Sequence, residues 1–229
     1  MCIHDTLIYI EEMEGRCYIS PWSEFMLQAM PNNLQNTTVC DYGSGTGILG
    51  IVSIFKGASH VIAIEKDATF RFRTLTTKNY EHNFLNNRLK IYDSSTLLSG
   101  TEFIDYIFCN PACYPSSVGM DSFFHAGEMG IDMICEVFSF ASKALKKTGH
   151  LYILIPSILP SSLIFEKLHT LNLHAKTTDS IYVPLRMNLV CAITKWVNDK
   201  KHIYPEMSYF EINGILSEKV NLYEISPIA

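Results

Sequence analysis

The chain lacks most features that would assign it to a special class. Its 229 residues hold no run of about twenty apolar residues, so no membrane-spanning segment is expected. There is no internal repeat, no low-complexity tract and no Pro/Gly-rich linker, and a single domain over residues 1–229 is expected. Cysteine is present in an odd number, seven, with no two CxxC pairs. Neither a disulfide framework nor a metal site fits that pattern. Several of the cysteines lie in apolar runs, where the thiol behaves as a small buried hydrophobe. The N-terminus, MCIHDTLIYIEEMEGR, carries acids where a signal peptide needs an unbroken apolar stretch. A reducing, cytoplasmic setting is the expectation. No basic stripe offsets the net charge of -5. Arg71–Arg73 and Lys143–Lys147 read as solvated helix faces, so a nucleic-acid partner is not expected.

The chain does contain an alternation. From residue 37 onward, short apolar runs alternate with longer amphipathic segments, which predicts parallel strands joined by helices. Strands are predicted at Thr37–Tyr42, His60–Glu65, Leu89–Tyr92, Ile104–Cys109 and His150–Ile155. Helices are predicted at Ser23–Met30, Ile48–Lys56, Ala68–Leu85, Glu128–Lys147 and Ser161–Leu171, with Thr148-Gly149 ending the fourth. His174–Val183 and Asn188–Val197 both read as strands, and the short PLRM turn between them requires an antiparallel pair. The tail, Phe210–Ser226, carries a hairpin turn signal at Asn213-Gly214.

The first strand runs into Asp41-Tyr42-Gly43-Ser44-Gly45-Thr46-Gly47, which opens a helix. Glycine lets the chain turn sharply and lets a ligand approach the backbone without a Cβ in the way. The GxGxG spacing, with an acid two residues ahead, departs from the GxGxxG of dinucleotide sites. A pyrophosphate is poorly served by Asp41, whereas an ammonium group suits it. Glu65, 22 residues beyond Gly43, ends HVIAIE at the place where an acid binds ribose hydroxyls, and Lys66 follows it. Asp93 and Ser94 follow the third strand, where an acid can accept from an adenine amino group. Gly43, Ser44, Gly45, Gly47, Asp41, Glu65, Lys66, Asp93 and Ser94 are therefore the candidate cofactor residues, together with Asn110.

DYGSGTGILGI, VIAIEKD, FIDYIFCNPACYP and GEMGIDMICEVFSFASKALKKTGHLYILI together resemble the small-domain class I methyltransferases that carry an NPPY motif. The likeness, from Tyr18 to about Pro156, is strongest to the HemK-like protein-glutamine N-methyltransferases. It implies an α/β class I (Rossmann-like) fold, with a mostly parallel seven-stranded sheet ending in an antiparallel hairpin. It also implies S-adenosylmethionine as cofactor and methyl transfer to an amide or amine nitrogen of a protein or small molecule. Residues 1–36 would then cover the site, 37–197 form the catalytic core and 198–229 an extension. The family uses the motif's asparagine side chain and a proline carbonyl to accept hydrogen bonds from the target NH2. Those roles carry over to Asn110 and Pro111.

The chain departs from the family at Ala112 and Cys113, which stand where NPPY has its second proline and its aromatic. Either Tyr114, one position late, supplies the stacking ring after a small backbone shift, or the acceptor is not flat. A base or oxygen acceptor, and a catalytically inactive scaffold, are the alternatives. Ser23-Glu24-Phe25 resembles a drifted form of the segment that closes over the cofactor in archaeal and eukaryal relatives, which also use an activating subunit. Tyr18, Trp22, His125 and Tyr182 are weighed as acceptor-pocket walls against plain packing.

Overall fold

β-Branched and aromatic residues gather in short runs, and most of these runs are strands in the computed structural model. The structure describes residues 2–3, 6–13, 18–66, 71–93, 104–118 and 125–228. The chain divides into two compact units: Met1–Asn110 with Lys143–Tyr152, and Pro111–Ser142 with Ile153–Ala229.

In the first unit, β1 (Cys2–Ile3) and β2 (Thr6–Leu7) form a small antiparallel pair. Helix α1 (Pro21–Ala29) starts with Ser20 as N-cap, accepting from Ser23 N, and with Pro21 at the first helical position. Both are standard helix-start devices. β3 (Thr38–Tyr42), α2 (Ile48–Phe55), β4 (His60–Ile64), α3 (Arg71–His82), β5 (Leu89–Tyr92) and β6 (Ile104–Cys109) follow. The strand order is β5-β4-β3-β6, continuing to β7 (Leu145–Pro156), and β3 pairs in parallel with both β4 and β6. β3 and β4 are buried almost throughout, as expected of central parallel strands covered on both faces. α2 presents Ile48, Leu49, Ile51, Val52 and Ile54 to the core. Its Gly50 is required by space. A Cβ there would collide with Tyr80 Oη and come within 2.8 Å of Val61 Cγ1.

The second unit holds α4 (Asp132–Ala144), the end of β7, α5 (Ser161–Thr170), β8 (Leu173–Pro184), α6 (Val190–Lys200), β9 (Phe210–Ile212) and β10 (Ile215–Pro227). The strand order here is β7-β10-β8, with β9 pairing β10, and β10 runs antiparallel to β8. The fold is thus mixed α/β, with a mostly parallel sheet and a C-terminal antiparallel hairpin. Among the described residues no helix is long and apolar enough to cross a membrane.

Two expectations are corrected. Asn188–Val197 is not a strand, because the segment forms α6. Val190, Ile193 and Val197 are β-branched, yet Leu189, Ile193, Trp196 and Val197 are the buried ones. Their spacing follows a helix, and that period outweighs strand propensity. The antiparallel partner of β8 is instead the tail strand β10, reached through the Asn213-Gly214 turn, where both residues have positive φ (51° and 77°). The segment expected as an extension therefore supplies an inner strand. Helix α4 is also shorter than expected, and Lys146–Gly149 belong to β7. Gly149 is no helix cap. A Cβ there would lie 2.9 Å from Ile104 O and 3.1 Å from Asp105 O, so glycine admits the close backbone approach of β6. Lys146, rather than facing solvent from a helix, donates to Asp105 Oδ1 at 2.7 Å.

Candidate active site

The loop from β3 to α2 turns on three glycines with positive φ, Gly43 (74°), Gly45 (51°) and Gly47 (77°). Residues with a Cβ pay for that region, so the glycine spacing is a backbone requirement. The loop folds back on β4. Gly43 N and Ser44 N both donate to Ile64 O, at 2.8 and 3.3 Å. Gly45 N donates to Glu65 Oε2 at 2.8 Å. Gly47 is the N-cap of α2 and has no side chain to cap it.

Asp41 supplies that cap from β3. Its Oδ2 accepts from Gly50 N at 2.9 Å, in the first turn of α2. A carboxylate at a helix N-terminus is favourable. The residue is only 1% exposed, however, and Oδ1 has no hydrogen-bond partner among the described residues. Burial pushes the carboxyl up to about 8, against the hydrogen bond from Gly50, and Glu65 nearby adds to the rise. Asp41 therefore lies beneath the loop rather than on its open side.

Glu65 closes β4 and is itself buried, at 5% exposure. Holding Gly45 N ties this carboxylate to the glycine loop. Lys66 follows it and is exposed. Asp93 follows β5 and has an exposed side chain 3.7 Å from Arg73 Nη1. Ser94 lies outside the described residues. Ordered positive-φ glycines beside a buried acid at the end of the next strand form a donor set that suits S-adenosylmethionine. A cation bound above the loop would lower the cost of charging the buried Asp41.

Asn110 sits just past β6 and is held by α1. Its Nδ2 donates to Ser23 Oγ at 3.1 Å, and Ser23 Oγ lies 3.3 Å from the N-cap Ser20 Oγ. This bond orients the amide, leaving its carbonyl oxygen as the acceptor end. The helix expected to cover the site thus reaches the motif asparagine through Ser23.

In the second unit, Pro111 and Cys113 are buried, and Ala112 N donates to Met133 Sδ at 3.2 Å. Tyr114 is 7% exposed, and its Oη donates to Glu218 Oε1 at 3.0 Å. Glu218, on β10, is 1% exposed, and burial lifts it to about 8 despite the Tyr114 hydrogen bond and the Arg186 charge that favour ionisation. Burial, then the Glu218 charge, raises the Tyr114 hydroxyl. A ring so enclosed would have to be uncovered before it could stack on an acceptor. His125 pairs with Tyr114 in an isolated bridge, and Tyr182 packs edge-on against Phe210. Trp22 is buried in the first unit.

Sequence reasoning did not single out Thr76 and Asn79, and it named Ser23 only within a motif. Thr76 Oγ1 donates to Gly45 O at 2.8 Å, and Asn79 Nδ2 donates to Thr46 O at 2.8 Å. Both are wholly buried on α3. Their signal was present as polar residues at positions 76, 79 and 83, along the face that buries Phe72, Leu75 and Tyr80.

The model of the methyltransferase small domain family matches residues 18–183. The chain is 28% identical over 195 residues to a tRNA1(Val) (adenine(37)-N6)-methyltransferase of Cytophaga hutchinsonii, covering 81% of this chain and 78% of that protein. Among solved structures, it is similar to the ribosomal protein L11 methylase of Lactobacillus delbrueckii subsp. bulgaricus. The TM-score is 0.58, with 15% identity and 98% and 87% of the two chains covered. It is also similar to the Mtq2-Trm112 complex of E. cuniculi, with TM-score 0.54, 14% identity and 93% and 98% covered. At these identities the two structures speak for the fold, which is that of class I methyltransferases. The expectation that nucleic acid is not a partner gains no support from these relatives.

Proposed function

Because this chain belongs to the methyltransferase small domain family and is an S-adenosylmethionine-dependent methyltransferase, we propose that it methylates a conjugated amino nitrogen, an amide or amine of a protein or small molecule. The observation that carries the reading is Asn110, oriented by Ser23 at 3.1 Å. S-Adenosylmethionine supplies an electrophilic methyl group. Glu65, the glycine loop and Asp93 bind it in this reading. The nitrogen of an amide or aromatic amine is a weak nucleophile, because its lone pair is delocalised. Asn110 Oδ1 and the Pro111 carbonyl accept from the NH2 and turn its lone pair toward the methyl group. As the N–C bond forms and the S–C bond breaks, the surplus amino proton passes to water. Orientation carries such a reaction, and no strong base is required.

A second reading has its own support: the acceptor is an adenine amino group in RNA. The Cytophaga hutchinsonii relative, matched along most of both chains, acts on adenine(37) N6 of a tRNA. The chemistry at Asn110 is the same in both readings, since each acceptor is a planar conjugated NH2.

Calorimetry with S-adenosylmethionine is the first test. Binding is expected, and its weakening is expected in Glu65→Ala; undiminished binding there would remove Glu65 from the site. Asn110→Ala should keep the cofactor and lower turnover about a hundredfold, the usual penalty for a misplaced reactant. Labelled cofactor in host lysate, with and without ribonuclease, separates protein and small-molecule acceptors from RNA. Lysate is used because the E. cuniculi structure is a two-protein complex, and an activating subunit is a reason for a silent purified chain. A chain that binds cofactor and labels nothing in lysate is a scaffold.

A further inference from the structure

The segment Ile8–Glu11 lies outside helix and strand and is bonded to Asn79 and Asn83. Ile8 is buried at 2% exposure and anchors it. Asn79 of α3 and Asn83, just past its end, grip its backbone. Asn83 donates to Tyr9 O at 2.7 Å and accepts from Tyr9 N at 3.0 Å. Asn79 donates to Glu11 O at 3.0 Å and accepts from Glu11 N at 2.8 Å. Each side-chain amide thus stands in for the peptide of a neighbouring strand. The spacings match. Residues two apart in an extended chain are about 6.6 Å apart and face one side, while residues four apart on a helix rise about 6 Å.

Asn79 makes a further bond. The same Nδ2 also donates to Thr46 O, in the glycine loop, at 2.8 Å. With the segment docked Asn79 is wholly buried, and both ends of its amide are bonded. If the segment leaves, the amide loses the two bonds that fix its orientation toward Thr46 O. The far end of the segment leads back to the same site. Glu12 Oε1 accepts from Ile19 N at 2.8 Å, next to the N-cap Ser20 of the helix whose Ser23 holds Asn110.

We propose that Asn79 is a positioning residue that couples docking of the Tyr9–Glu11 strap to the cofactor loop, so that strap docking and S-adenosylmethionine binding reinforce each other. Asn79 touches neither cofactor nor acceptor in this assignment. It acts through Thr46 O and the strap. Coupling of this kind is reciprocal: whatever factor the cofactor adds to strap docking, the docked strap adds to cofactor affinity. This inference rests on the family's use of S-adenosylmethionine.

Hydrogen exchange of the strap amides, with and without S-adenosylmethionine, and calorimetric affinity in variants test the idea. In the wild type, protection of residues 9–11 should rise with saturating cofactor. Asn83→Ala, which loosens the strap and touches no part of the loop, should weaken cofactor binding about fivefold, the low end of measured couplings between sites. Asn79→Ala should weaken it more and abolish the cofactor-dependent protection. Strap exchange that is indifferent to cofactor, or Asn83→Ala with wild-type affinity, overturns the coupling. Both readouts stand even if Asn79→Ala fails to fold. A wild type that binds no S-adenosylmethionine removes the cofactor reading itself, an outcome distinct from binding without coupling.

Discussion

Replacing Asp41 by Asn tests whether a buried carboxyl beneath the glycine loop weakens the fold as pH rises. Asp41 is 1% exposed, and its carboxyl is held at about 8 instead of its ordinary 3.8. For an acid raised on folding, the native state binds more protons than the unfolded state between those two values. Its contribution to stability is therefore fully present below about pH 4 and lost as pH rises through about 8. At about 1.36 kcal/mol per pH unit, the interval from 3.8 to about 8 sets a ceiling near 6 kcal/mol. Protein relaxation and an effective dielectric above the dry value reduce it. A loss of about 2 kcal/mol between pH 5 and pH 9 is expected, already a sizeable part of a typical folding free energy.

Asn keeps the acceptor for Gly50 N at 2.9 Å. It also puts an NH2 donor near the position of Oδ1, which has no hydrogen-bond partner among the described residues. The neutral carboxyl carries its O–H donor in the same place, so variant and wild type should have similar stability at pH 5. At pH 9, where the wild type has ionised, the variant should be the more stable. Urea unfolding at intervals from pH 5 to pH 9 reads this difference directly. Subtracting variant from wild type cancels the other titrating groups. Parallel stability curves for the two proteins would refute the assignment of a neutral Asp41 carboxyl to the folded state.

Three more outcomes are expected. Glu218→Gln keeps an acceptor for Tyr114 Oη and removes a carboxyl that burial lifts to about 8; by the same sign rule, the variant should gain on wild type as pH rises from about 4.5 to about 8 and level off above it, as read by melting temperature. Ser23→Ala frees the Asn110 amide from its 3.1 Å partner; kcat should fall about tenfold, in line with one positioning hydrogen bond, while cofactor affinity measured by calorimetry stays unchanged. Gly50→Ala should cost about 2 kcal/mol or more through overpacking, and Tyr80→Phe, by removing the oxygen a Cβ would strike, should recover part of the loss in a double-mutant cycle.

The parallel half of the fold was legible because its signals are local. A β-branched run, a glycine turn and an amphipathic stretch each act within a few residues, and β3, α2, β4, β5 and β6 stand within one or two residues of their expected bounds. The two misread segments are those where local propensity and burial disagree. Val190–Lys200 has strand-like residues at helical spacing, and Lys146–Gly149 carries a helix-ending signature inside a strand. Burial decided both, because apolar side chains follow the face they can hide and glycine follows the neighbour it must admit.

The sequence by itself determined the backbone of the site: glycines at 43, 45 and 47, whose positive φ no other residue adopts as readily, and an acid at 65 to close the following strand. Those needs belong to single residues, so composition and spacing reveal them. Tertiary structure decided what the polar side chains do. It turned Asp41 inward as a cap for α2, placed Ser23 on Asn110, and set Asn79 between the strap and the loop. Each of those bonds joins residues 9 to 87 positions apart. A hydrogen bond has no signature along the chain, because it depends on where two side chains meet after the core has packed.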